Sequence, residues 1–137
     1  MHIHRIAQYG AMHGKGDGGE AIDRWEIQMR KGGLELAILA SLWPGALYGL
    51  EILRRLADGF DLRVPEGTVY PLLNRLKAEK WLDAEWVESD AGHPRKYYRL
   101  TSEGRRHLQR MARSWSRFAS SLDRLLEPVD APGKEER

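Results

Sequence analysis

Residues 66–101 read EGTVYPLLNRLKAEKWLDAEWVESDAGHPRKYYRLT, and a change of period inside this stretch decides the fold. Val69, Leu72, Leu73 and Leu76 fall within about 100° of one another on a helical wheel, so 67–80 reads as a short helix with an apolar inner face. Pro71 is tolerated because it lies in the first turn, where its missing N–H has no intrahelical acceptor. From Trp81 to Ser89 the pattern alternates instead. Ala84, Trp86 and Glu88 share one face, and Glu85 and Val87 the other. Asp90-Ala91-Gly92-His93-Pro94 supplies turn chemistry, and Arg95 to Leu100 reads as the returning strand. Thr101 or Ser102 then caps a last helix, with Glu103 near its positive end.

Working upstream, the period is helical. Ile22, Trp25 and Met29 mark a helix from about Glu20, which Gly32-Gly33 should interrupt. Leu34, Ala37, Ile38, Ser41 and Leu42 form the stripe of a second helix that ends at Pro44-Gly45. Leu36 and Leu39 add apolar groups on its other sides. Tyr48 to Asp58 reads as the next helix, with Leu50, Leu53 and Leu56 inward, Arg54 and Arg55 outward, and Gly59 as the C-terminal cap. Residues 60–66 connect it to the helix at 67. Downstream, the last helix should run to about Glu127, where Pro128 stops it.

The fold class is therefore mainly α with a small β-hairpin: a winged helix-turn-helix followed by a long C-terminal helix. The chain divides into a glycine-rich flexible arm (1–19), the winged unit (20–101), the long helix (102–127) and a tail (128–137). His2, His4 and His13 in the arm read as incidental side chains of a solvated segment, with no metal site, because nothing fixes their geometry.

Composition narrows the function. The chain has 137 residues and no cysteine, which excludes thiolate metal sites, disulfide frameworks and cysteine nucleophiles. There is no signal-peptide h-region and no run long enough to span a membrane, so a soluble cytoplasmic protein is expected. No glycine-rich phosphate loop, HExxH or other spaced catalytic constellation is present, so neither catalysis nor a cofactor is expected. The net charge is only +2, but from Arg63 to Arg113 eleven Arg/Lys stand against seven Asp/Glu. Positive charge gathered in this way points to a polyanion partner.

The helix at 67–80 has the chemistry of a reading head. Its outward face carries Tyr70, Pro71, Asn74, Arg75 and Ala78, with Thr68 and Lys77 on the flanks. Arg can engage guanine with two hydrogen bonds and Asn can engage adenine, while hydroxyls hold phosphates. His93, Arg95 and Lys96 at the hairpin tip would reach the neighbouring groove or its phosphates. Tyr97 and Tyr98 must point to opposite faces, one of them packing on the domain, against Trp81 or Trp86. A winged unit that binds protein rather than DNA is the alternative, and salt dependence separates the two.

Leu108, Met111, Trp115, Phe118, Leu122 and Leu125 are spaced 3, 4, 3, 4, 3, an a/d seam along the last helix. A small domain cannot cover all of it. A second copy would, giving a twofold homodimer with two reading heads. Ile22 and Trp25 would brace the same seam. Near the dyad, Trp115 would either stack on its symmetry mate or wall a pocket for a flat apolar ligand.

LELAILASL, YGLEILRRL, EGTVYPLLNRL and GHPRKYYRLTSEGRRHL together resemble the PadR family of bacterial transcriptional regulators, over roughly residues 29–127. The resemblance implies a dimeric winged-helix protein, usually a repressor, bound to palindromic DNA. It further resembles the small subfamily with a single C-terminal helix. SWSRFASSLDRLL is similar to the end of multidrug-sensing members, in which a tryptophan lines a cavity at the dimer interface. On that resemblance Thr68, Tyr70 and Arg75 match recognition-helix positions, Arg95 and Lys96 the wing, and Trp115 the cavity tryptophan that would meet a small aromatic or apolar effector. The long arm before residue 20 and the His93-Pro94 tip depart from the family pattern.

Overall fold

The computed structural model of the chain describes residues 17–60, 64–90 and 92–130. Helix α1 spans Asp17–Ser41, strand β1 Leu47–Tyr48, helix α2 Gly49–Phe60 and helix α3 Glu66–Ala78. Strands β2 (Leu82–Val87) and β3 (Arg95–Leu100) follow, then helix α4 (Ser102–Asp130). The sheet is antiparallel in the order β1-β3-β2, with Leu82 opposite Leu100 and Val87 opposite Arg95. The winged helix-turn-helix and the long last helix read from the sequence are thus present.

The core is one cluster. Leu34, Ile38, Leu39 and Leu42 of α1 meet Ile52 and Leu56 of α2. Val69, Leu73 and Leu76 of α3, Leu82, Tyr98 and Leu100 of the wing, and Leu108 of α4 complete it. Each of these side chains loses its apolar surface to water by packing on a different element, which is why three short helices and a hairpin hold together as one unit.

Several boundaries differ from the sequence reading. Gly32-Gly33 does not interrupt α1, which is one helix of 25 residues. Each glycine costs a helix only about 1 kcal/mol, and the Leu34–Leu42 face recovers more by burial. The helix also begins at Asp17, so the end of the expected arm belongs to it; residues 1–16, with His2, His4 and His13, lie outside the described residues. Pro128 does not stop α4, which continues to Asp130. It removes one N–H in the last exposed turn, where water can serve the carbonyl it abandons. Residues 131–137 of the expected tail lie outside the described residues.

Gly59 lies inside α2 and is not its cap, since the described residues with positive φ are Lys80 and Gly92 alone. In α2 the buried side chains are Ile52 and Leu56, while Leu50 is exposed. The helix is rotated from the expected phase, and its first residue, Gly49, closes on α3: a Cβ there would collide with the ring and hydroxyl of Tyr70.

Pro71 lies inside α3, as its sixth residue and past the first turn where it was expected, so the Gly67 carbonyl has no i+4 N–H to accept from. Helix α3 ends two residues earlier than expected, in a Schellman turn. The Trp81 N–H donates to Leu76 O at 3.0 Å and the Lys80 N–H to Lys77 O at 3.0 Å, with Lys80 at φ 68°. Thr101 caps α4 as expected, its Oγ1 accepting from the Gly104 N–H at 2.8 Å. The same hydroxyl donates to Lys80 O at 2.7 Å, so one side chain ties the start of α4 to the end of α3.

Candidate nucleic-acid interface

The wing rises from the end of α3. Successive residues of β3 face opposite sides, and this divides its cations. Tyr98 and Leu100 are buried on the core side of the sheet, and Lys96 lies on that same side. The Lys96 ammonium is 5.8 Å from the Tyr98 ring and 5.8 Å from the Trp86 ring. Arg95 lies on the opposite side, its guanidinium 4.6 Å above the ring of Tyr48. Tyr48 in turn meets Tyr97 edge-on at 5.5 Å. The two cations expected to project together from the tip therefore serve different faces, Lys96 the core side of the sheet and Arg95 the other.

The packing tyrosine is Tyr98, buried and set opposite Ala84, and Trp81 packs against the same core cluster. Trp81 also stacks on His107 of α4, the rings 4.0 Å apart and nearly parallel. Trp86, on the core side of the sheet but beyond the core cluster, is 67% exposed. At the tip, Gly92 takes φ 87° and donates its N–H to Ser89 O, and Ser89 Oγ donates to His93 O at 2.7 Å. His93 is exposed on this closed turn.

On α3, Val69, Leu73 and Leu76 are buried and Leu72 is half-buried, so the opposite side is left to solvent. Thr68, Pro71, Asn74, Arg75, Lys77 and Ala78 are all exposed. Tyr70 is the exception. It is half-buried against Gly49, where burial and then the charge of Glu66 push its hydroxyl above the ordinary tyrosine value. The neutral phenol is therefore retained, with its ring wedged between α2 and α3.

Arg75 is not a free cation. Its Nη2 donates to Glu35 of α1 at 2.5 Å and its Nη1 to Glu79 at 2.6 Å. The hydrogen bond and charge of Glu35, then those of Glu79, hold the guanidinium more firmly protonated. Glu35 stands forty residues away in sequence, so no local pattern announces the pair. Tyr48 was hidden in the same way, because its strand is two residues long.

On α4, Leu108 is buried and Met111 and Trp115 are half-buried. Phe118 (55%), Leu122 (40%) and Leu125 (75%) are exposed, so the seam passes out of the domain along the helix. The Trp115 and Phe118 rings lie 5.9 Å apart. Ile22, Trp25 and Ile27 of α1 are exposed as well. Among the described residues no group of three or more His, Cys, Asp or Glu could hold a metal ion, and no helix is long and apolar enough to cross a membrane.

The model of the PadR-like family of transcriptional regulators matches residues 38–110, from the last turn of α1 through the wing into α4. Solved structures extend the likeness. A PadR-like transcription factor from Bacteroides fragilis is 41% identical, covering 74% of this chain and 98% of its own, with a TM-score of 0.62. A PadR-family regulator from Eggerthella lenta is 31% identical over 79% of this chain and 94% of its own, with a TM-score of 0.71. A PadR-like regulator from Bacillus cereus is 37% identical over 72% and 96%, with a TM-score of 0.65. Family model, sequence identity and the winged architecture agree, and the chain belongs to the PadR-like family of transcriptional regulators.

Proposed function

We propose that this regulator is a homodimeric repressor that binds a palindromic operator and is released by a small apolar or aromatic effector. The observation that carries the DNA reading is the exposed polar side of α3, with Thr68, Asn74, Arg75 and Lys77, on a helix that packs against strand β2 of the wing. Two such heads related by a dyad would enter successive major grooves about one helical turn, or roughly 34 Å, apart. Asn74, Arg75 and Lys77 are the base-reading and phosphate-holding groups. Tyr70 sets the angle of the helix, and His93, Arg95 and Lys96 hold flanking backbone. The exposed half of the α4 seam supports the dimer. Trp115, half-buried at the point where the seam leaves the domain, is the group an effector would meet. Release requires that the effector bind one arrangement of the heads better than the other.

The test is a fluorescence titration against the duplex upstream of the protein's own gene, at two salt concentrations, with wild type beside Arg75→Ala. Binding should weaken steeply with salt, because phosphate contacts release counterions. Arg75→Ala should cost about 1–3 kcal/mol and relax base preference. Binding indifferent to salt would point instead to a winged unit that docks on protein.

A further inference from the structure

Helix α4 has a second face that the regulator reading does not use. Between Gly104 and Leu122 the chain contains no Asp or Glu and five arginines. Four of these, Arg106, Arg110, Arg113 and Arg117, recur at intervals of 4, 3 and 4, and Arg124 continues the line. On a helix all five fall within about 60° of one another, centred about 140° from the Leu108–Leu125 seam. All five are exposed. Among the described residues none of them makes an ion pair, whereas Arg75 and Arg99 both do. Three of them, Arg113, Arg117 and Arg124, share a shallow groove with Ser116, Ser120 and Ser121.

A merely solvated helix face carries mixed charges at i, i+4, because opposite signs support the helix and like signs oppose it. Here Arg106 and Arg110, and Arg113 and Arg117, are like pairs at that spacing with no carboxylate between them. The stripe thus costs the isolated helix stability and awaits an anionic surface. It runs about 27 Å from Arg106 to Arg124, the length of roughly eight base pairs of duplex. Guanidinium forks match phosphate oxygens in geometry as well as charge. A lipid surface fits less well. It would have to take the apolar side of α4, which a second copy covers, whereas the arginines stay outward in such a dimer.

We propose that the arginine stripe of α4 is a second, sequence-independent contact for the phosphate backbone of duplex DNA, separate from α3 and the wing. The proposal rests on the DNA-regulator reading above and adds a surface to it.

The experiment compares wild type with the triple variant Arg110→Gln, Arg113→Gln, Arg117→Gln, whose residues lie far from α3 in the chain and keep good helix propensity. Affinity is measured across a range of salt for the upstream duplex and for a random duplex of equal length. The expected result is a log–log salt slope shallower by up to about 5 per bound dimer on both duplexes, since three arginines are lost from each protomer and each lost phosphate contact removes close to one. The corresponding triple lysine variant, which keeps the charge, should recover the slope. A variant in α3, Asn74→Ala with Lys77→Gln, should instead lose the preference between the duplexes while keeping the stripe-dependent part. Unchanged slopes in the triple glutamine variant, with wild type still preferring the upstream duplex, would overturn the stripe alone. Wild type that binds neither duplex would overturn the regulator reading and the stripe together. Vesicles of phosphatidylserine and phosphatidylcholine that retain wild type but not the variant, with equal DNA slopes, would reassign the face to a membrane surface.

Discussion

Arg75 joins two elements and stands on the face proposed to read DNA, and those two roles compete. Its terminal nitrogens are spent on Glu35 and Glu79, so a base edge can take the guanidinium only by drawing it away from carboxylates. All three side chains are partly solvated, so the pairs are worth little to stability and are screened by salt. They matter as competitors. Glu35→Gln should therefore tighten operator binding several-fold at low salt, and the gain should shrink as salt rises, in the same titration used for Arg75→Ala. Weakening by Glu35→Gln to the extent seen with Arg75→Ala would mean that the pair docks α3 on α1 and that Arg75 reads nothing. Tyr70 is the other residue whose role the geometry changes: it faces outward on the wheel, yet its ring is held against Gly49.

At the scale of the element, the end of α3 is where α3, the wing and α4 are tied together. Lys80 holds the left-handed position of the Schellman turn, at φ 68°. An L side chain there costs roughly 1–2 kcal/mol, and the position suits glycine. Lys80→Gly should raise stability by about 1 kcal/mol, part of the relief being returned as backbone entropy, and a urea melt would detect it as a higher midpoint with unchanged slope. A lower midpoint would show that the lysine side chain supplies packing that outweighs its strain. Just beyond, Gly104 admits no side chain, because a Cβ would run into the Trp81 carbonyl. This close approach lets Thr101 bond across to the end of α3.

At the scale of the whole molecule, the apolar surface of α4 and α1 is larger than one chain covers. Leu125 is 75% exposed and Leu122 40%, with Leu126 and Val129 beside them. Leu125→Asp should leave the fold of the single chain intact, since the side chain touches little of it. It should shift the protein from dimer to monomer in sedimentation at micromolar concentration, and operator affinity should fall with it. A variant that stays dimeric would place the interface elsewhere. With the seam inward and the arginine stripe outward, α4 would present both faces to macromolecules, one to its own copy and one to phosphate.

The sequence by itself determined the order of elements from α2 onward, the switch from a 3.6-residue to a 2-residue period at Trp81, the inward face of α3, the Thr101 cap and the family. These depend on near neighbours along the chain, where spacing alone says which side chains share a face. Only the tertiary structure decided the unbroken α1, the rotation of α2, the third strand at Leu47–Tyr48 and the Arg75–Glu35 pair. Each of these is settled by a partner tens of residues away. Burial against such a partner outweighs the weak local preferences of a Gly-Gly pair or a helix phase, and no periodicity records where the partner will be.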